Sequence, residues 1–304
     1  MNKLAPLFVI IAAALWGVDG IVLRPELYTL PVTLVVFIET IIVALILTPF
    51  FSRNFGQFKK LKPKDWLAFI GVALFGGAIG TMAITKALFY VNHVNLSIVV
   101  LIQKLQPVFA VSFAAILLKE HLNKKFYLWA GAAIVGAYLM TFGFRLPALN
   151  ASDKTSLAAL FAVIATISFA LSTVFSKRAI KNVDFKLATY LRFLITSGMM
   201  LIIVLSSGIF WEVSSVTSKQ SIIFLIIAFT TGGPAIFFYF YGLKRISASV
   251  ATICELSFPL TAIILEYILR GNILGPVQWI GVIILLNSII RVTYLKTEKI
   301  EKPK

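Results

Sequence analysis

Residues 97–110 read SIVVLIQKLQPVFA, and residues 249–262 read SVATICELSFPLTA. A constant shift of 152 positions lays Ser97 on Ser249, Val99 on Ala251, Gln103 on Glu255 and Pro107 on Pro259. Both stretches are apolar enough to lie in a membrane. Each nevertheless carries one charge, Lys104 or Glu255, within a turn of its proline. Proline lacks the N–H that closes a helical turn, so Pro107 releases the carbonyl of Gln103 and Pro259 that of Glu255. In hydrocarbon a released carbonyl needs another donor: substrate, water, or the side chains of Gln106 and Ser257. Kinked, polar points at matched places on two apolar helices predict a wet site between two related halves.

The likeness extends outward from these stretches. Asn92–His93 falls on Lys244–Arg245 at the same shift, and Leu128-Trp129-Ala130-Gly131 falls on Gln278-Trp279-Ile280-Gly281 at a shift of 150. A bilayer core takes about 20 apolar residues per helix. Ten runs qualify, at 5–23, 31–50, 66–88, 95–118, 126–143, 156–176, 187–206, 221–242, 248–269 and 275–294. Pro31, Pro63, Pro147 and the Gly271–Gly275 stretch punctuate them. The first run continues past Ala14 through Leu15, Trp16 and Val18 to Leu23, so it reads as a spanning helix and not as a cleaved leader. Five runs per half is an odd number, so the second half enters the membrane upside down. The predicted fold is therefore an all-α integral membrane protein. Ten transmembrane helices form two inverted five-helix repeats, residues 1–145 and 155–295, followed by a charged cytoplasmic tail at 296–304. Inverted repeats of this kind place a substrate site near the bilayer midplane.

Composition narrows the class from the other side. Of 304 residues, 60% are apolar and 13% charged, with a mean hydropathy of +0.96. Soluble domains average about 45–50% apolar and about 25% charged. A soluble enzyme, a disordered chain and a fibrous chain are all excluded. The net charge of +16 does not form a nucleic-acid stripe, because the basic residues sit between apolar runs. With the N-terminus inside, twenty of the 28 Lys and Arg fall in inner segments. Five fall in outer ones: Arg24, Arg145, Lys154, Lys219 and Arg270. That asymmetry predicts both termini on the cytoplasmic side of the inner membrane. The basic loops also attract anionic lipid. Cys254, the one cysteine, excludes an internal disulfide. His93 and His121 read as a loop residue and a helix-end residue. No metal or other cofactor is implied. No G-x-x-x-x-G-K-[ST] stretch exists to bind a nucleotide, so a gradient or an exchange partner must supply energy.

Ala14-Leu15-Trp16-Gly17, the run from Leu105 through Gln106 and Pro107 to Ala110, the following Lys119-Glu120, and Trp129-Ala130-Gly131 together resemble the EamA branch of the drug/metabolite transporter superfamily. The resemblance covers nearly the whole chain and implies a transporter of small metabolites. Two positions depart from the family pattern. A Gly-Glu usually ends the fourth helix, where this chain has Lys119-Glu120, and the second half reads Gly271-Asn272 there. The missing second carboxylate points to a structural, helix-end role for Glu120. Glu39 stands where the family commonly has an arginine, which the second half keeps as Arg192.

Charges inside the spans mark the candidate site. A charge at the bilayer centre costs about 2.5–3.5 kcal/mol on insertion scales, so it must face a partner or water. Glu39, Lys86, Lys104, Arg192 and Glu255 lie well inside spans, with Asp19 and Glu266 nearer the outer ends. Lys104 and Glu255 are expected to bracket the midplane, roughly 10 Å apart in height. They line the substrate path, with Gln103 and Gln106 on the same faces; the plainer reading is an ion pair locking the fourth helix to the ninth. Glu39 and Arg192 divide between structural pairing and substrate contact. Lys86 divides between snorkelling and substrate contact, and Asp19 is its expected partner. Trp16 and Trp279 line the cavity or pack against lipid. Glu266 and Arg270 read as an i,i+4 pair. Pro107, Pro259 and the Gly76-Gly77, Gly80 and Gly232-Gly233-Pro234 clusters are the expected kinks, crossings and hinges.

The function these features predict is secondary transport of a small polar metabolite by alternating access, coupled to protons or to exchange. Lys104 would hold a carboxylate or phosphate, and Glu255 an amine or a proton. An amino acid, a related zwitterion or an organic anion fits that pair. A lipid-linked carrier or flippase is the alternative. An intramembrane enzyme is remote, because no His–Glu–His set, paired aspartates or serine with a base exists in the spans. A channel lacks its ring of ligands. The partners are the metabolite and the bilayer; the oligomeric state is left open.

Overall fold

Backbone in hydrocarbon must satisfy its own hydrogen bonds, and the apolar runs accordingly form helices. The structure, a computed structural model, describes residues 4–51, 58, 61–91, 99, 102–146, 153–271 and 274–295. His93, Pro147 and the tail 296–304 lie outside the described residues, as do the side chains of Glu266 and Arg270.

Helix α1 (Ala5–Val18) runs on through a π-helical stretch, Asp19–Leu23, and a 3-10 turn, Arg24–Leu27. The first span therefore reaches Leu27 instead of the expected 23. Next come α2 (Val32–Phe51) and α3 (Pro63–Gly71), the latter joined by the π-helical Val72–Ile79 to α4 (Gly80–Val91). Proline opens α3, where its missing N–H costs nothing. Then follow α5 (Gln106–Leu117), α6 (Lys124–Phe142), α7 (Asp153–Ala179) and α8 (Phe185–Ser206). The π-helical Ala228–Gly232 joins α9 (Ser218–Ile227) to α10 (Gly233–Leu243). The chain ends in α11 (Ala248–Cys254), α12 (Ser257–Arg270) and α13 (Pro276–Tyr294).

Among the described residues, nine stretches are long and apolar enough to cross a membrane. They agree in place with nine of the ten expected runs. Of the expected fourth run, 95–118, the described residues are 99 and 102–118, which include the shorter apolar helix Gln106–Leu117; residues 92–98, 100 and 101 are outside the described set.

Both proline-bearing segments break where the sequence predicted a kink. The turn at Lys104–Leu105 has Leu105 N–H donating to Ile102 O at 3.0 Å, and that at Glu255–Leu256 has Leu256 N–H donating to Ile253 O at 3.1 Å. One expectation is corrected here. The Glu255 carbonyl is not left over for a ligand, because Phe258 N–H donates to it at 3.0 Å. The backbone tightens into i→i+3 turns that absorb the proline within the chain.

The π-helical stretches in front of α4 and α10 share a cause. A Cβ on Gly233 would lie 2.9 Å from Ala228 O, and one on Gly80 would strike Phe75 O. In each case the carbonyl is five residues earlier, the spacing of a π turn, and only glycine lets it come so close. Gly232 is similarly placed, with a Cβ 3.0 Å from Ile227 O.

Packing is by pairs. α6 lies along α13, α4 along α7, α1 along α10 and α2 along α8; α5 touches α7 and α11, and α1 touches α12. Small residues set these approaches. A Cβ on Gly136 would sit 2.7 Å from Leu285 N, and one on Gly242 2.7 Å from Ala5 O. Phe69, Phe126, Met140, Tyr190, Leu191 and Phe240 are buried between the helices, while Phe50, Ile116, Leu128, Ile202 and Ile283 point outward. That outward apolar surface fits lipid.

Candidate functional site

The break at Glu255 carries its carboxylate into a knot of four segments. Gln106, the first residue of α5, donates Nε2–H to Glu255 Oε2 at 2.8 Å. Tyr239 of α10 donates its hydroxyl to Oε1 at 2.8 Å, and Thr173 of α7 stands 3.5 Å from the same oxygen. Tyr239 OH and Thr173 Oγ1 are 3.1 Å apart. Trp16 of α1 packs on Tyr239 with ring centroids 5.3 Å apart. Arg192 of α8 stands nearby, its guanidinium 5.9 Å from the ring centroid of Phe240, the residue after Tyr239. It forms no ion pair with Glu255 or with Glu39. Glu255, Gln106, Arg192 and Trp16, four of the candidate residues, thus lie near one another. Tyr239 and Thr173 join them without having been foreseen, because each sits in an apolar run with no charge or proline to mark it.

Lys104 occupies the equivalent break in the first half and is only 5% exposed. It has no ion pair or side-chain hydrogen bond among the described residues. It is not bonded to Glu255, so the locking salt bridge between the fourth and ninth helices is not formed. Gln103 ends the helical turn before this break and is half-buried.

Glu39 belongs to a different cluster. Arg24 Nη2 lies 2.8 Å from Asp19 Oδ2 and 3.0 Å from Glu39 Oε2. Thr231, in the π-helical turn before Gly232, donates to Asp19 Oδ1 at 3.4 Å. Arg24 had been placed in an outer loop. The extension of the first span carries it inward, where it supplies both carboxylates. Asp19 consequently does not pair with Lys86, which is exposed with its ammonium 5.9 Å from the Tyr90 ring centroid. Trp279 is 55% exposed and faces outward.

Glu120 takes the helix-end place expected of it. Its carboxylate accepts from Ala248 N at 2.8 Å and from Ser249 N and Oγ at 3.1 and 2.6 Å, capping α11. Lys177 donates to the carbonyls of Leu243 and Ile246 at 2.7 and 2.5 Å, capping α10. His121, also at this helix end, has Nδ1 3.0 Å from Lys119 O.

Two hollows stand apart from the Glu255 knot. One of about 10 Å³ is lined by Arg24, Tyr28 and Thr85 among others, and an open groove of about 490 Å³ lies between Leu61, Lys62 and Asp65 on one side and Asn182, Val183, Asp184 and Leu187 on the other. Neither includes Lys104 or Glu255. No grouping of His, Cys, Asp and Glu among the described residues is placed to hold a metal.

The nine apolar spans among the described residues, the outward apolar side chains and a polar knot buried among them define a multi-pass helical membrane protein. The chain belongs to the EamA-like transporter family, which matches residues 3–142 and again 156–294. It is 43% identical over 290 residues to the riboflavin transporter ImpX of Fusobacterium nucleatum, covering 95% of this chain and 97% of that one. An uncharacterised transporter of Synechocystis is 27% identical over 251 residues, covering 80% and 70% respectively. A crystal structure of 16% identity shares the fold at a TM-score of 0.76 over 97% of each chain.

Proposed function

We propose that this chain is a secondary transporter of riboflavin or a closely related planar, polar metabolite. On this reading ten helices form two inverted repeats, residues 1–145 and 155–295, which rock about the Glu255 knot. Both termini lie in the cytoplasm and a proton gradient or exchange supplies the energy. The observation that carries the proposal is the meeting at Glu255 of the first half's α5, through Gln106, with Tyr239 and Thr173 of the second half. A polar cluster shared by the two halves is what a rocking carrier must open and close.

Several features support the details. The family matches the chain in two consecutive stretches. The helix pairs follow a two-fold rule: exchanging first-half helices for second-half ones turns α1·α10 into α7·α4 and α5·α7 into α12·α1, and returns α2·α8 and α6·α13 to themselves. The ImpX relative supports the substrate. Trp16 and Tyr239 offer aromatic faces to a planar ring, while Glu255, Gln106, Arg192 and Thr173 offer polar groups at its edge. Lys104 and Gln103, at the companion break, line the same path. Glu39 keeps Arg24 company instead of touching substrate, and Lys86 lies outside the path. Pro107, Pro259, Gly232 and Gly233 are the points where the helices bend.

A second reading retains the opposite charges at the two breaks, Lys104 and Glu255, as hosts for an amino acid or other zwitterion. Uptake into proteoliposomes separates the two. The purified protein is expected to accumulate riboflavin, followed by its fluorescence, in response to a pH gradient or to internal flavin. Uptake of amino acids with none of riboflavin would replace the first reading by the second. Glu255→Ala is expected to reduce uptake per folded protein at least tenfold, with the thermal transition in detergent measured alongside to count the folded fraction.

A further inference from the structure

We infer that Glu255 and Gln106 read the imide edge of a flavin-type ring, the N3–H flanked by two carbonyl oxygens, and that Gln106 holds that place until the ring arrives. The inference rests on the proposed function as a riboflavin transporter and adds which atoms select the substrate.

The two oxygens of Glu255 are held differently. Oε1 is fixed by the Tyr239 hydroxyl at 2.8 Å with Thr173 at 3.5 Å. Oε2 receives one N–H, from the Gln106 carboxamide at 2.8 Å. A carboxamide N–H and an imide N–H are the same kind of donor: a planar nitrogen beside a carbonyl. The Gln106 amide therefore stands where a ring N3–H would stand. Among the described residues Gln106 makes no other side-chain hydrogen bond, so it can turn away and present its N–H to one of the ring carbonyls.

Arg192 completes the edge. Its guanidinium lies 5.9 Å from the ring centroid of Phe240, the residue after Tyr239, and forms no ion pair among the described residues, so its donors remain for the second carbonyl. Trp16, packed on Tyr239 at 5.3 Å between centroids, supplies the flat apolar wall for the ring. An acceptor held from behind by Tyr239 is pre-organised, which lowers the ordering cost of binding. The exchange also has a mechanical consequence. Gln106 and Glu255 are 149 positions apart, and replacing their mutual bond by bonds to substrate removes one tie between α5 and the α11–α12 break.

The test compares riboflavin with N3-methylriboflavin by quenching of flavin fluorescence on the full-length protein in detergent. A methyl on N3 removes the donor and sets an apolar group against a carboxylate, and sites built to pair a polar group reject analogues lacking it. Wild type is expected to bind the methylated flavin at least tenfold more weakly. It should also bind lumichrome, which keeps the edge and lacks the ribityl chain. Glu255→Ala should bind riboflavin weakly and lose the discrimination, with the two flavins within about twofold of each other. Equal binding of both flavins by wild type, or undiminished discrimination by Glu255→Ala, would overturn the inference while leaving riboflavin transport standing. Absence of riboflavin binding to wild type would overturn both. If the variant fails to fold, the wild-type pair of flavins decides alone.

Discussion

Glu120 and Ser249 meet across 129 positions, the carboxylate accepting from both the N–H and the hydroxyl of the serine at 3.1 and 2.6 Å. With Ala248 N–H as a third donor, Glu120 places a negative charge at the start of α11, where helix N–H groups are unpaired. α11 ends beside Glu255, so this contact fixes the far end of the short rod that carries the candidate site residue. Glu120→Ala is expected to cost about 1–3 kcal/mol, read as a lower thermal transition in detergent. A transition equal to wild type would show that solvent replaces the cap without loss.

Arg24 neutralises two carboxylates at once, at 2.8 and 3.0 Å. Removing one member of a buried charge cluster strands the others, at a cost of about 3–5 kcal/mol. Arg24→Met should therefore lower the yield of monodisperse protein sharply. The triple variant with Asp19→Asn and Glu39→Gln should recover most of it. Failure of that rescue would mean that Arg24 acts through something besides its two partners.

Gly281 and Gly131 occupy matched places in the sequence but different surroundings. A Cβ on Gly281 would run into the backbone of Met140, whereas one on Gly131 meets nothing within 4 Å. Gly281→Ala is expected to destabilise by about 1–3 kcal/mol through forced separation of α6 from α13. Gly131→Ala should be neutral, or stabilising by up to about 1 kcal/mol from its helix propensity. Melting curves of the two variants side by side check the contrast.

Lys104, 5% exposed and without an ion pair among the described residues, is a charge kept at a cost. Burying an uncompensated ammonium is unfavourable. Lys104→Met should raise the thermal transition and at the same time lower substrate uptake at least tenfold. A variant that is stabilised and transports normally would remove Lys104 from the substrate path.

The breaks at Lys104 and Glu255 were legible because proline and charge in an apolar run have few tolerable explanations. Glycine clusters in the third and eighth runs were legible as special points, and the structure gives them a common π-helical form. Tyr239 and Thr173 were not legible. A hydroxyl in an apolar helix can bond its own backbone, as Thr40 does to Val36 O at 2.7 Å, so its presence alone does not signal a shared site. The pairing of Asp19 was misread for a related reason. The helix continues through π and 3-10 turns past residue 23, and those turns depend on neighbouring packing.

The sequence by itself determined the solvent, the helical class and the places where the helices bend. Those follow from the cost of exposing polar backbone and charge to lipid, and they are local. Which charges face each other was decided by tertiary structure alone. Arg24 rather than Arg192 meets Glu39, and Gln106 rather than Lys104 meets Glu255, because partner choice depends on helix rotation and crossing, set by small-residue contacts such as Gly136 on Leu285 and Gly242 on Ala5.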